Sequence, residues 1–421
     1  MKIILAAKSV YPFHPVGGVQ KYVYYFAKHL KMEGADVEIV APCDSGEPRQ
    51  EIFENIRYTF LKPAMYRYLE YPIGWLGVHL FSRSLAKYLQ NRDFDILHSF
   101  DMAAYQYAQR TNRRPVIAQI FTDNYLCNPI SSVNPFKFLH FTGTQFSNIK
   151  DRKIAISRSS SLWVKTKYFL QYWLKMRPMR KLLRKSDRIL IEAETFKKDI
   201  VSLFELEEAK CSVLAVGVDF TAIQTACGEA VITRESIGLK QDDCVLITVN
   251  RLAADKGVDK IILAMAQIVP RNPQVKLIIV GAGYQEEEIE QLIECHGLSQ
   301  HVIHMKKIEE KKLYSFYQIS DIFICAFSYP GSSLSTVEAM ACGLPIITTA
   351  QPWLVPEGKN GIVLANNTPQ LIAQAVVRLI EENQLRRRGQ LSQEIVRQYA
   401  WPSIAQRAMK DYERLLVKCE I

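Results

Sequence analysis

The chain has 421 residues, 48% apolar and 23% charged, which is ordinary globular material and more than one core usually holds, so two domains are expected. Its 53 basic and 43 acidic residues leave a net charge of +10, favouring an anionic partner without choosing among nucleotide, nucleic acid and lipid head group. No stretch approaches the roughly 18 apolar residues that cross a bilayer, and the 9 scattered cysteines, lacking a CxxC pair or a His cluster, read as buried free thiols of a reducing cytosol.

Residues 1–12, MKIILAAKSVYP, hold an apolar run too short for an export signal and lead into Gly17-Gly18, as a first strand would. Strands are predicted over 2–7 and 36–41, with a helix over 18–33 that aligns Val19, Val23, Phe26, Ala27 and Leu30 on one face. Residues 63–89 are aromatic and partly helical; a strand over 94–99, a helix over 102–110 and a strand over 115–121 follow. The alternation breaks around 122–180, in a segment rich in Asn, Ser, Pro and aromatics that reads as an insertion. It resumes with a strand at 188–191, a helix near 194–205 and a short strand at 213–215 before the turn Gly217-Val218-Asp219.

A second α/β region carries strands over 244–249, 275–280, 302–305, 322–327, 345–348 and 361–364. Its helices are predicted over 258–268, 286–295, 311–317, 337–341 and 368–382, with a final helix over 401–417. Such alternation builds parallel sheets covered by helices on both faces. The domains are drawn at 1–198, at 199–385, and as a helical segment over 386–421 that runs back toward the first. A cleft between two such domains is the natural place for an active site.

The most informative stretch is 321–345, in which an apolar strand gives way to a small-residue loop and then a helix bearing Glu338. A carboxylate there can take two vicinal hydroxyls, and free N–H groups ahead of it can face phosphate oxygens. Its alternative is to cap its own helix. Arg251 and Lys256 follow a strand in VNRLAADKG; an Arg fork and a compact ammonium suit a diphosphate, and a solvated basic turn is the plainer reading. Together with Glu338 they read as a site for a sugar nucleotide.

Gly17-Gly18 precedes a helix whose unpaired N–H groups could meet an anion, and Gly281 and Gly283 form a second turn that suits either nucleotide contact or tight packing. Neither pair completes the GxGxxG fingerprint, which argues against NAD or FAD. His14, His98 and Asp101 lie near strand ends and could reach a cleft, without metal-ligand spacing. Residues 165–188 carry 9 Lys or Arg and 1 acid among aromatics. They suit an anionic membrane, with Tyr168, Phe169, Trp173 and Leu174 buried in it, or an ordinary domain helix; nucleic acid lacks a surrounding module.

The helix GGVQKYVYYFAKHL, the GVD turn, RLAADKG at 251–257, VGAG at 280–283, VEAMACGLP at 337–345 and the late Trp401 together resemble the GT-B glycosyltransferases, and among them the retaining family 4. The resemblance covers nearly the whole chain. It implies two Rossmann-like domains facing across a cleft, the first on the acceptor side. By it, Arg251 and Lys256 grip the donor diphosphate, Glu338 holds the ribose, Gly17 and Gly18 approach the phosphates, and Met305 to Ile308 meet the base. It implies retaining transfer to a hydroxyl acceptor without metal or cofactor, in cell-surface polysaccharide or glycolipid synthesis at the cytoplasmic side of a membrane.

Three positions depart from the family pattern. Pro330 stands where a second carboxylate usually contacts the transferred sugar, Phe121 stands where a strand often ends in histidine, and residues 349–353 lack the glycines and acid of a GG-x-P-E segment. Backbone groups over Ser332, Ser333, Leu334 and Ser335 would then hold the sugar, or the chain keeps the fold as a nucleotide-binding or regulatory protein.

Overall fold

The computed structural model describes residues 1–14, 17–43, 47–62, 74–121, 176–229, 231–306, 308–328, 331, 333–349 and 351–420. The chain divides into two compact units, Met1–Ala215 with Ala405–Ile421, and Val216–Ile404.

The first unit opens with β1 (Lys2–Ala6), α1 (Gly18–Met32), β2 (Asp36–Pro42), β3 (Arg49–Phe53), β4 (Ile56–Leu61) and α2 (Gly74–Tyr88). It continues through β5 (Ile96–Phe100), β6 (Val116–Ile120), α3 (Arg177–Lys185), β7 (Arg188–Ile191), α4 (Glu194–Phe204) and β8 (Cys211–Val213). The sheet order is β3-β4-β2-β1-β5-β6-β7-β8, parallel except where β3 runs antiparallel to β4. Every residue of β5 and β6 is buried, as a central parallel strand covered on both faces requires.

The hairpin β3–β4 was not foreseen, because its turn residues Glu54 and Asn55 are not the usual glycine pair although both take positive φ. The helix expected over 102–110 is instead a series of turns with one short 3-10 stretch, Tyr107–Gln109. Ser99 explains this: its hydroxyl donates to the Asp101 carbonyl and accepts the Ala104 N–H, folding the chain tightly after β5. Most of the insertion around 122–180 lies outside the described residues, as do Tyr168, Phe169, Trp173 and Leu174 of the basic aromatic stretch. Arg177–Lys185 of that stretch form α3, an ordinary domain helix. Met179, Leu182 and Leu183 are buried in the unit, while Arg180 and Arg184 pair with Glu205.

The second unit comprises α5 (Phe220–Gly228), β9 (Cys244–Val249), α6 (Val258–Ile268), β10 (Val275–Val280), α7 (Glu286–Cys295), β11 (Val302–Met305) and α8 (Glu310–Gln318). Then come β12 (Ile322–Cys325), α9 (Leu334–Ala341), β13 (Ile346–Thr348), β14 (Gly361–Val363), α10 (Pro369–Glu381) and α11 (Leu385–Val396). All strands are parallel in the order β11-β10-β9-β12-β13-β14. Successive side chains of a strand point to opposite faces, and the two cores divide accordingly. Leu246, Leu277, Ile279, Ile322 and Ile324 pack with α6, α7 and α10. Val245, Ile247, Ile278 and Phe323 pack with α5, α8, α9 and α11.

The last helix, α12 (Trp401–Glu420), begins in the second unit, where the Trp401 N–H donates to the Val218 carbonyl, the Val218 N–H donates to that of Tyr399, and the Trp401 ring covers Gly217. It ends in the first, where Tyr412 is fully buried and the Asp411 carboxylate accepts from Arg188 and Ser212. The unit boundaries thus differ from those drawn on sequence. Residues 199–215 stay with the first unit because β8 pairs with β7, and 386–404 stay with the second because α11 packs on α9.

His98 and Tyr412 share a buried hydrogen bond of 2.5 Å between Nδ1 and the hydroxyl. Burial pushes the His98 pKa down to about 3, so the folded imidazole stays neutral where an unfolded one, near 6.5, already binds a proton. Between those values the unfolded chain holds the extra proton, and stability falls as pH drops below about 6.5. Tyr412→Phe should destabilise the protein by about 1–3 kcal/mol by orphaning the ring nitrogen. The double variant His98→Phe/Tyr412→Phe should recover part of that loss and flatten the acid limb. Denaturant midpoints measured across that pH range check both; an unchanged acid limb in the double variant refutes the assignment.

Candidate functional site

The loops following β9, β10, β12 and β14 meet at the carboxyl edge of the second sheet. Leu252 N–H donates to the Ala282 carbonyl at 3.0 Å, Gly281 N–H to Met305 at 2.8 Å, and Ala254 N–H to the Tyr284 hydroxyl at 2.9 Å. These contacts require glycine. A Cβ on Gly281, whose φ is +146°, would sit 1.8 Å from the Asn250 carbonyl oxygen, and one on Gly283 would sit 2.1 Å from that of Leu252. Tight packing is therefore the visible role of both glycines. The Met305 carbonyl is engaged by Gly281, and Ile308 is half-buried against the core.

Lys256 ends the short turn Ala254–Lys256, and Gly257, in the left-handed region at φ +66°, starts α6. A Cβ on Gly257 would meet the Ala326 carbonyl oxygen at 2.1 Å, so the loops after β9 and β12 touch backbone to backbone. Ser328 N–H donates to the Asp255 carbonyl at 2.9 Å, and the Asn367 amide holds the Ala326 carbonyl at 3.0 Å. The Lys256 ammonium lies 4.0 Å from the Phe327 ring centroid and 3.3 Å from the Asp255 carboxylate. A cation over an aromatic face is attracted electrostatically and held in place. Arg251, earlier in the loop, is exposed and makes no ion pair among the described residues.

Glu338 is the fifth residue of α9, one turn further along than a helix-start position, and it does not cap the helix. Its carboxylate is half-buried and accepts from the Tyr317 hydroxyl at 3.4 Å; the same hydroxyl reaches the Ser335 carbonyl at 3.3 Å. Burial first, and Glu338 second, raise the Tyr317 pKa well above its ordinary value, so this phenol remains a donor. The start of α9 has no side-chain cap and no acid in its first turn, and Ser333 and Ser335 share a hydroxyl hydrogen bond of 2.6 Å. Leu334 opens the helix, while Pro330 and Ser332 lie outside the described residues. In the divergent segment, the Thr349 hydroxyl donates to the Phe327 carbonyl and the Gln351 amide to that of Gly331, tying it to the loop after β12.

In the first unit, Gly17 caps α1 in an extended conformation open to any residue, and α1 has no acid in its first turn. The helix α1 starts at Gly18 without a side-chain cap, as foreseen. The residues proposed to reach a cleft are interior. His98 is fully buried, and His14 accepts the Val10 N–H through Nδ1 at 2.8 Å with its ring edge-on to Phe60. Asp101 is 3% exposed, takes φ +53°, and pairs with Lys8 at 3.2 Å. Phe121 packs against Tyr22 and Phe100.

Tyr317, Tyr284, Asn367 and Gln351 were missed on sequence. Each acts on a segment distant in sequence, Tyr317 from α8 on α9 and the others from one loop to another, so no local spacing announces it.

Two doubly wound α/β units, one all-parallel and one parallel but for β3, with loop-borne cations and a helix-borne carboxylate in the second, are those of a GT-B protein. The models "Glycosyltransferase Family 4" and "Glycosyl transferases group 1" match residues 16–222 and 231–392. An uncharacterized glycosyltransferase of Methanocaldococcus jannaschii is 27% identical over 99% of both chains. Further relatives align over little more than half of their own length. Sucrose-phosphate synthase from Thermosynechococcus elongatus superposes with a TM-score of 0.74 at 17% identity over 99% of both chains. HepE of Anabaena, in complex with UDP and glucose, gives 0.67 at 18% identity, covering 98% of this chain and 100% of that one. The chain belongs to the family 4 type of GT-B glycosyltransferases.

Gly257→Ala should destabilise the second unit by about 1–3 kcal/mol, because it adds a Cβ at positive φ against a carbonyl oxygen. The denaturant midpoint checks this; an unchanged midpoint refutes the backbone contact.

Proposed function

We propose that the protein transfers a sugar from a nucleoside-diphosphate sugar to a hydroxyl acceptor with retained anomeric configuration, without a metal. The observation that carries this reading is the convergence of the Lys256 loop, the uncapped start of α9 and the Tyr317-held Glu338 in one unit. In this reading Lys256 and Arg251 neutralise the diphosphate as negative charge develops on the leaving group, and first-turn amides of α9 add fixed positive dipoles. Glu338 accepts from the ribose hydroxyls. The acceptor hydroxyl attacks the face that the diphosphate leaves, and a donor phosphate oxygen takes its proton. The UDP and glucose of the Anabaena structure make a uridine donor the first to test.

The acceptor belongs, on this proposal, to cell-surface polysaccharide or glycolipid synthesis. Contact with an anionic membrane would rest here on the exposed Arg177, Lys181 and Lys185, since the apolar side of α3 is packed inward.

Lys256→Ala and Glu338→Ala are each expected to weaken donor binding or turnover at least tenfold, about 1.4 kcal/mol. Titration of UDP-, GDP-, ADP- and dTDP-sugars followed by thermal shift, with proton NMR of the product anomer, tests the whole reading. An inverted product overturns retention. Nucleotide binding without transfer to any acceptor favours the non-catalytic alternative, which the apolar setting of Phe121 supports.

A further inference from the structure

Cys227 lies half-buried on α5, and Cys342 lies buried at the end of α9. Their sulfurs are 3.5 Å apart and unbonded. The two side chains come from positions 115 apart in sequence, so this closeness is made by the packing of α5 on α9. The Gln224 amide, one turn before Cys227, donates to the Ala341 carbonyl beside Cys342 and ties α5 to α9, and the Gln393 amide ties α11 to the same carbonyl. A disulfide sulfur pair sits about 2.05 Å apart, so closure asks for an approach of about 1.5 Å.

We propose that Cys227 and Cys342 are an oxidation site at which a hydroperoxide forms a reversible disulfide between α5 and α9. The Cys227 thiolate attacks the peroxide oxygen, giving a sulfenic acid and, for hydrogen peroxide, a hydroxide that takes up the proton the Cys227 thiol had released and becomes one water. The Cys342 sulfur then attacks the Cys227 sulfur, and the hydroxyl leaves with the Cys342 proton as a second water. Two thiols and one peroxide thus become one disulfide and two waters.

The rest of the molecule favours this pair. The Cys342 thiol, followed by Gln318, stabilises the Cys227 thiolate by hydrogen bonding and lowers its pKa. Burial raises Cys342, which keeps it the protonated partner of Cys227, and it also raises Cys211, pushes Cys244 up to about 12 and pushes Cys325 up to about 11. A thiolate with surface access and a second sulfur in reach is the combination that oxidises reversibly. Cys295 is exposed but is paired with no second sulfur among the described residues. The site also touches the donor machinery of the proposed function. Cys342 lies one turn after Glu338 on α9, and its N–H donates to the Glu338 carbonyl at 2.9 Å.

The test uses the full chain treated with a small molar excess of hydrogen peroxide, then alkylated and mapped by non-reducing mass spectrometry. The expected result is a peptide pair joining Cys227 to Cys342, with alkylation of Cys227 reduced by about tenfold and restored by dithiothreitol. In Cys342→Ser, Cys227 should persist as a sulfenic acid captured by dimedone. Cross-links confined to other cysteines, or unchanged alkylation of Cys227 at peroxide that oxidises Cys295, would overturn the proposal. The mapping of the parent protein stands whether or not the variant folds, and it does not depend on glycosyl transfer.

Discussion

Backbone-to-backbone contact at the carboxyl edge of the second sheet is the constraint on which the candidate site depends. Three glycines let the loops after β9, β10 and β12 approach to distances that no side chain permits. That closeness gives Lys256 a rigid footing beside Phe327, although the lysine itself has a long flexible stem. An ammonium held in place needs less ordering when an anion arrives than one free in solvent. The loops need not be stiff in themselves, because each is anchored by the carbonyl oxygens of another.

Glu338 is placed by a different device. Helix α9 carries it, but its orientation comes from Tyr317, whose hydroxyl is buried and has no easy route to ionisation. The same end of α9 is pinned by two glutamine amides on Ala341, so helix position and carboxylate position are coupled.

The alternation of strand and helix was legible because central parallel strands read as unbroken apolar runs, and both sheets follow from it. Arg251, Lys256 and Glu338 were legible as motifs, since each sits in a short distinctive segment. What escaped was long-range. The hairpin at Glu54 and Asn55 lacks glycine, the turn after β5 depends on one Ser99 hydroxyl, and the Tyr317 contact joins two separate helices. His14, His98 and Asp101 were read as site candidates because polar residues near strand ends usually face solvent. Here each finds an internal partner, Val10, Tyr412 and Lys8 respectively.

The first unit is discontinuous, since Ala405–Ile421 completes what Met1–Ala215 begins, while the second is one unbroken stretch of chain. Synthesis runs from the amino end, so a ribosome delivers the whole of the second unit before it delivers Tyr412. Until then His98 waits without the hydroxyl it faces in the finished protein. The portion made first is therefore the portion finished last, and a nascent chain stalled near residue 404 would display an open seam along the sheet of its amino-terminal half.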